Sequence, residues 1–426
     1  MYAEQMEDAE TSSQVAGDVI GNTAYSERFV LKILLKFANL DTLKDEIEKQ
    51  SFIDDICVLW DMTTEKDVVL FLQKHEVLKL INFALPVIEP SRIIDVIIGI
   101  IGNMCCQKEV VNVLMKMEGL LSMLMCHINS DESLVLIQLL RLVSSCLFLA
   151  NDEEIETWMN LFDTVDYSAA LYFILKNSSH LDLIYTALEN LNSVCSYCNT
   201  GKFRTKFYSL FVVPNALDCL TAAFTEIAVN RKETCCNIRL ERVHIISLQI
   251  VLNFVEFTNA CEIYEGSKEN VITLINVILK YYEEKFIVKK EIDSDLIDIL
   301  MSTSTIVMEL KLIGLPEDYF KPSYNMWKAT SSILHTDKDG SSFEESDKEE
   351  LVDFVDKVKY PLALIICYYI GNIKADNFQL DIDRVEELYD EMKIWVDNGP
   401  VETDMSMSQR VKNYGNPKNY RSRPRN

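Results

Sequence analysis

Apolar residues recur along most of this chain at spacings of three and four, the pattern of amphipathic helices. The first such stripe contains Phe29, Ile33, Leu34 and Phe37. A sustained alternation of apolar and polar residues, which half-buried strands show, does not occur, and residues 23–398 contain only six prolines. The pattern therefore predicts long helices and a sheet content near zero.

The predicted helices after residue 62 are grouped in threes, two short ones followed by a long one. Thr64 and Asp67 resemble a capping box and predict the start of the first group. The long third helices begin near Ser91, Asp131 and His180, at intervals of 40 and 49 residues. This spacing is close to the period of armadillo and HEAT repeats, which stack side by side. The sequence thus predicts an all-α, armadillo/HEAT-like solenoid wound into a right-handed superhelix.

Composition changes along the chain and divides it into five segments. Acidic runs and stretches rich in small residues or proline cannot bury enough apolar surface to fold, which predicts disorder or loops. The predicted segments are a disordered acidic N-terminal segment (1–22), armadillo-like helical repeats (23–335), an acidic loop or linker (336–350), C-terminal closing helices (351–398) and a disordered basic tail (399–426).

The net charge of −25 limits the possible partners. Proteins bind the phosphates of nucleic acid largely through Lys and Arg, so this balance disfavours nucleic acid and favours basic partners. The tail is the exception, because residues 405–426 contain six basic and no acidic residues. Arg421, Arg423 and Arg425 are its candidate contacts. Nucleic acid is therefore expected as a partner only through the tail.

Twelve cysteines, most of them within apolar runs, fit reduced thiols that serve as small hydrophobic residues. The N-terminal region is acidic and has no basic residue before Arg28, unlike a secretory signal. The longest apolar stretch, residues 134–150, contains a glutamine and an arginine and is short for a membrane span. We therefore expect a protein of the nucleus or cytoplasm that does not enter a membrane.

Polar residues interrupt the apolar third helices at positions three or four apart, which places them on one face. In a three-helix repeat this face of the third helix lines the concave groove. Asn103, Ser145 and Asn190 recur at intervals of 42 and 45 residues, and Asn253 follows 63 residues later. The candidate groove-lining residues are Asn103, Gln138, Arg141, Ser145, Glu189, Asn190, Gln249, Asn253 and Glu256.

An asparagine ladder of this kind permits two interpretations. Because an amide both donates and accepts, each asparagine could pair with the backbone of an extended peptide. Alternatively, the amides form hydrogen bonds between neighbouring repeats and bind nothing. Trp60, at the end of a helix, is likewise either a cover for the core of the first repeat or a surface hot spot.

One pattern suggests a metal site. Cys195 and Cys198 form a CxxC pair, and Cys235 and Cys236 follow downstream, so a four-thiolate zinc site is conceivable. The spacing differs from the common finger classes, and Cys195 also fits the apolar stripe of its helix. The five histidines are isolated from one another, and no nucleotide-binding glycine motif occurs. We expect no enzymatic activity, no metal and no cofactor.

Three stretches resemble the serum amyloid A-like protein 1 family. They are Gly17–Ser26, Ile56–Leu72 with its Trp-Asp-Met element, and Ile98–Met104 with its Gly-Asn-Met element. The resemblance implies an armadillo-type helical protein without enzymatic activity, inside the cell, nuclear, and linked in vertebrate members to cell proliferation. It supplies no binding residues, and the acidic loop and basic tail depart from the family pattern.

These expectations combine in a non-enzymatic scaffold or adaptor, expected to be a monomer, that binds an extended basic segment of a protein partner in its concave groove. One alternative is a nucleic-acid-associated factor that uses the basic tail. Another is an importin-like transport receptor, which would carry Trp beside each ladder Asn. Here Trp occurs only at positions 60, 158, 327 and 395.

Overall fold

Of the 426 residues, the computed structural model describes 18–291, 293–335 and 345–372. Within these ranges the regular secondary structure is helical and contains no strand, so the predicted all-α fold is confirmed. The chain divides into two compact units, Met1–Tyr167 (unit 1) and Ser168–Asn426 (unit 2). The handedness of the superhelix stays a prediction.

Unit 1 consists of three-helix repeats. Its helices are α1 (Glu27–Phe37), α2 (Leu40–Glu46), α3 (Gln50–Met62), α4 (Lys66–Lys74), α5 (Val77–Ala84), α6 (Ser91–Met104), α7 (Lys108–Leu114), α8 (Glu118–Cys126), α9 (Ser133–Leu149) and α10 (Asp152–Thr164). The third helix of one repeat packs on the third helix of the next, so that α6 lies between α3 and α9. Residues 93–101 of α6 are consequently buried.

Unit 2, taken by itself, shows the same kind of helix packing. Its helices are α11 (Tyr167–Asn177), which begins at the boundary, α12 (Leu181–Cys198), α13 (Arg204–Phe211), α14 (Ala216–Thr225), α15 (Asn237–Val255), α16 (Ala260–Ile263), α17 (Lys268–Glu283), α18 (Asp295–Glu309), α19 (Lys321–His335) and α20 (Glu345–Asn372). Helices α12, α15 and α20 are longer than any helix of unit 1. The third helices α12, α15, α18 and α20 pack in that order, and α14, α17 and α19 form a second layer. Five-residue π-helical segments extend α14 and α17 and precede α19.

Hydrogen bonds hold residues 18–22 in place. The ordered part therefore begins before residue 23, where the sequence predicted its start. The Asp18 carboxylate accepts two hydrogen bonds at the start of α1. The backbone N–H of Asn22 donates to the Asp67 carboxylate at 2.8 Å. Asp67 therefore anchors the N-terminal segment and does not form a capping box with Thr64. Helix α4 begins at Lys66 without a side-chain cap.

The acidic segment 336–350 was predicted to be a loop, but α20 begins within it at Glu345. Residues 345–350 are mostly Glu and Lys, which are good helix formers, so an acidic composition alone does not indicate a loop. Helices α18 and α19 pack against α20, and residues 358–370 are buried. Residues 1–17, 336–344 and 373–426 lie outside the described residues, and so do Arg421, Arg423 and Arg425.

None of the helices in the described ranges combines the length and the apolar composition of a membrane span. Two bent helix pairs satisfy the criteria of length and composition, namely Lys108–Leu114 with Glu118–Asn129 and Gly201–Phe211 with Ala216–Asn230.

Candidate functional site

Asn103 links two neighbouring repeats of unit 1. Its side-chain amide donates to Thr63 Oγ1 at 3.0 Å and to the backbone carbonyl of Trp60 at 3.4 Å, which joins α6 to the end of α3. The side chain is half-buried. Of the two interpretations of the ladder, the structure shows the hydrogen bond between repeats at this position.

The three predicted groove residues of α9 differ in exposure. Gln138 is buried, and its Oε1 lies 3.5 Å from Nη1 of Arg141. Arg141 is exposed and Ser145 is half-buried. The prediction that Gln138 faces the groove is wrong, because residues 135–140 of α9 are all covered by neighbouring helices.

Asn190 cannot contact a partner, because its side chain is 0% exposed. Helix α12 packs against both α14 and α15, so a polar residue on the shared side of α12 points into the core. The placement of Asn190 in the groove was therefore wrong. Asn253, its counterpart in α15, is half-buried and accepts a hydrogen bond from the Asn199 amide at 3.0 Å. Both asparagines are thus part of the packing between repeats.

A second group of polar side chains lies on the outward face of the third helices of unit 2. We call this face the ladder surface. Its charged side chains are acidic on α12, basic in the first half of α15, and acidic again at the end of α15 and on α18. It consists of Asp182, Tyr185, Glu189, Arg239, Arg242, Gln249, Glu256, Asp295 and Asp298.

Glu189 and Arg242 form a two-pronged ion pair between α12 and α15. Nε and Nη2 of Arg242 each donate to one carboxylate oxygen of Glu189 at 2.9 Å, and the Tyr185 hydroxyl donates to the same carboxylate at 2.9 Å. Burial opposes the charge of Glu189, but the hydrogen bonds and charge of Arg242 outweigh it and lower the pKa of the carboxyl. Burial, followed by the charge of Glu189, raises the pKa of Tyr185 to about 12.

Arg239 lies one helical turn before Arg242 and faces an open pocket of about 580 Å³. Its Nη2 is 2.8 Å from the Asp182 carboxylate, and its guanidinium carbon is 4.3 Å from the centre of the Tyr185 ring. Ile238, also on the pocket wall, is 82% exposed. The pocket thus combines two guanidinium groups with an apolar side chain that solvent surrounds.

A smaller cleft of about 50 Å³ separates α15 from α18. Its walls are largely apolar, with Ser302 as the polar exception, and Gln249, Asp295 and Asp298 form its exposed edge. Burial, and after it the charges of Asp293 and Asp298, raises the pKa of Asp295. Carboxylates that repel one another in this way attract a cation.

Glu256 closes the carboxyl-terminal end of the ladder surface. It is exposed, and its carboxylate accepts from Nη2 of Arg204 at 3.2 Å. Glu189, Gln249 and Glu256 are therefore the predicted residues that the structure places together on an accessible surface. Arg239 and Arg242 were missed. Their signal was a pair of arginines three apart within an apolar helix, the spacing that already marked the other candidates.

The four cysteines considered for zinc do not come together. Cys195 and Cys198 are buried near the carboxyl-terminal end of α12, whereas Cys236 precedes α15 at the end where Arg239 pairs with Asp182. The stretch of α12 from Asp182 to Cys195 is about 20 Å long. In the part of the chain that the structure describes, no group of three or more His, Cys, Asp or Glu residues could hold a metal ion.

The stretches that carry the family resemblance pack against one another in unit 1. The indole of Trp60 lies directly over Gly99, where an added Cβ would come within 2.6 Å of its Nε1 atom. Asn103 binds the Trp60 carbonyl, and Asp67 anchors Asn22 from the first stretch. The Trp-Asp-Met and Gly-Asn-Met elements are thus one packing unit between α3 and α6, and Trp60 covers α6 rather than standing free on the surface.

Comparison with known proteins gives four vertebrate relatives. The chain is 28% identical to Protein SAAL1 of Homo sapiens over 183 residues, which are 39% of this chain and 38% of that protein. It is 24% identical to Protein saal1 of Danio rerio over 201 residues, or 44% and 41% of the two chains. Protein saal1 of Xenopus tropicalis is 26% identical over 195 residues, or 43% and 42%. The resemblance to the serum amyloid A-like protein 1 family is confirmed.

The matches span between 38% and 42% of the length of these family relatives. No protein-family model matches the chain. Among solved structures, an engineered protein superimposes with a TM-score of 0.43 at 10% sequence identity, over 92% of this chain and 99% of its own.

Proposed function

We propose that this protein is a non-enzymatic interaction scaffold and that the ladder surface of unit 2 binds an extended segment of a protein partner. The observation that supports the proposal most directly is the cleft between α15 and α18. Gln249, with both a donor and an acceptor, stands exposed beside Asp298 above largely apolar walls. A peptide backbone could pair with the amide while one of its side chains enters the cleft.

The charges of this region favour a basic segment. Asp293, Asp295 and Asp298 lie close together, and burial, followed by the charges of Asp293 and Asp298, raises the pKa of Asp295. Lys285, which pairs with Asp293 at 2.6 Å, partly offsets this repulsion. A Lys or Arg of the partner would relieve this repulsion, and the net charge of −25 would attract such a segment from a distance. The proposal includes a nuclear role linked to cell proliferation, because the family resemblance implies it.

Charge reversal at the cleft tests the proposed function. Asp298→Lys places a positive charge beside Gln249 and is expected to remove the basic partner from affinity purifications analysed by quantitative mass spectrometry. Glu269→Lys is the matched control, because Glu269 is an exposed acidic residue in the first turn of α17, just as Asp298 is in the first turn of α18. Proteins that wild type and Glu269→Lys retain, but Asp298→Lys loses, are the predicted partners.

If Asp298→Lys and Glu269→Lys capture the same proteins as wild type in equal amounts, the cleft is not the binding site. Circular dichroism and melting temperature of both variants serve as folding controls, since both side chains are exposed and the substitutions should leave the fold intact.

A further inference from the structure

The pocket beside Arg239 has the opposite polarity to the cleft between α15 and α18. It lies at the amino-terminal ends of α12 and α15, two long helices whose dipoles favour negative charge there. Two arginines three residues apart line one wall of the pocket, and each is paired with one carboxylate, Arg239 with Asp182 and Arg242 with Glu189. A basic side chain would bind poorly at this position.

The guanidinium groups in this pocket retain unused donors. Arg242 employs Nε and Nη2 to bind Glu189, and Arg239 employs Nη2 toward Asp182 and the carbonyl of Leu181. Among the described residues, the Nη1 group of neither arginine has a hydrogen-bond partner. Each arginine carries five N–H donors in a fixed plane, so an anion can bind to one edge while the other edge stays paired.

The ion pairs Arg239–Asp182 and Arg242–Glu189 differ in how easily a ligand could break them. The side chain of Asp182 is 65% exposed, and ion pairs at such exposed sites contribute little to stability. An incoming carboxylate can therefore replace Asp182 beside Arg239. Glu189 is less exposed, at 28%, and its two hydrogen bonds with Arg242 fix the orientation of that guanidinium group.

The apolar part of the pocket indicates which kind of residue would lie next to the bound acid. Ile238 projects into solvent with 82% of its surface exposed, beside the ring of Tyr185. Isolated exposed aliphatic residues are ordinary, but one that borders a pocket with two guanidinium groups offers a surface for an aliphatic neighbour of a bound acid.

We propose that this pocket binds an Asp or Glu side chain with an adjacent aliphatic residue, both from the segment that occupies the ladder surface. The inference rests on the proposed function and adds the orientation in which the segment binds. Its acidic end lies at Arg239 and Arg242, and its basic residue lies at Asp298.

The distance between the two subsites sets the spacing of the two charges in the partner. The seven residues of α15 from Arg242 to Gln249 rise by about 10 Å. Adjacent helices lie about 8–10 Å apart, so a line from the pocket to the cleft is about 14 Å long. An extended chain covers roughly 3.3 Å per residue. The acidic and basic residues of the bound segment should therefore be about four positions apart.

A library of random 12-residue peptides, selected by display on the full chain, tests this inference. The expected consensus is an acidic residue beside an aliphatic one, about four positions from Lys or Arg. In fluorescence anisotropy, changing the peptide acid to its amide should weaken binding to wild type roughly tenfold, because a hydrogen bond to a charged group is lost. The same peptide change should have little further effect on the Arg239→Gln variant.

The variant Ile238→Asp should also weaken these peptides roughly tenfold, since it removes the aliphatic surface and repels the acid. The substitution affects a side chain that is 82% exposed, so the fold should persist. Phe173→Asp is the control, because Phe173 is 68% exposed on α11, away from the ladder surface.

Two other outcomes are distinguishable. If the selected peptides are basic, lose binding to Asp298→Lys and show neither an acidic preference nor a response to Ile238→Asp, the acidic subsite is wrong and the proposed function stands. If neither Asp298→Lys nor Ile238→Asp weakens any selected peptide, both the acidic subsite and the proposed function are wrong.

Discussion

Gly99→Ala is expected to lower the free energy of unfolding by about 1–3 kcal/mol, the usual cost of an overpacked core position. An added Cβ would come within 2.6 Å of Cζ2 and Nε1 of the Trp60 indole, and residues around Gly99 in α6 are buried. The large Trp60 ring would therefore have to move away from α6. This net loss already includes the gain of about 1 kcal/mol by which alanine favours helix over glycine. Urea unfolding followed by circular dichroism measures it.

Gly102→Ala provides the control in the same helix. A Cβ on Gly102 would find its nearest neighbour, in Leu142, at 3.9 Å, which is an ordinary contact. This variant should be neutral or more stable by up to about 1 kcal/mol. Equal losses for Gly99→Ala and Gly102→Ala would show that contact with Trp60 is not the cause. Trp60→Leu should reduce the cost of Gly99→Ala in a double-mutant cycle.

The second large effect is a loss of stability in mild acid that arises from His244. This histidine of α15 is 1% exposed among the rings of Phe224, Tyr281 and Tyr282. Neither ring nitrogen has a hydrogen-bond partner among the described residues. Burial, and after it the positive charge of Lys232, lowers the pKa of His244 to about 3 from a usual value of 6.5.

Because the folded pKa lies below the unfolded one, the unfolded state binds the proton more readily. The stabilisation is complete above pH 6.5 and is lost as the pH falls toward 3. Each pH unit in this range should remove up to about 1.4 kcal/mol, so roughly 2 kcal/mol should disappear between pH 6.5 and 5.

Urea unfolding of wild type and His244→Phe at pH 7, 6 and 5 isolates this contribution, because the carboxyl groups are common to both chains. The phenyl ring suits the surrounding aromatic residues and does not titrate. The difference in unfolding free energy between the two proteins should change in favour of the variant as the pH falls. Parallel pH profiles would show that His244 is protonated equally well in the folded and unfolded states.

The helices could be predicted from the sequence wherever one apolar stripe faces one neighbour. Helices α6 and α12 begin within one residue of their predicted starts, because Pro90 and His180 immediately precede them. The start of α20 at Glu345 was missed, since residues of high helix propensity were interpreted as a loop on the basis of their charge. Composition distinguishes solvent-exposed from buried segments better than it distinguishes helix from loop.

The candidate site was predictable only in part, and Asn190 and Gln249 show why. Both are polar residues in apolar third helices, but Asn190 is fully buried and Gln249 is exposed. A third helix contacts the preceding repeat, the following repeat and the second layer, so most of its circumference is covered. A polar residue there is either an internal hydrogen-bonding group or a surface group. The spacing along the sequence gives the side of the helix on which the residue lies. Only the packing of the neighbouring helices decides whether that side is buried or exposed.

Site-specific photo-crosslinking tests the central claim, that the ladder surface of unit 2 binds a partner segment, most directly. A benzophenone amino acid is introduced at Gln249 in one protein and at Glu269 in another, and both are irradiated in cell extract. We predict a crosslinked protein from position 249 that is absent from position 269 and that Asp298→Lys abolishes. Equal crosslinking from both positions, or crosslinks at 249 that survive Asp298→Lys, would contradict the claim.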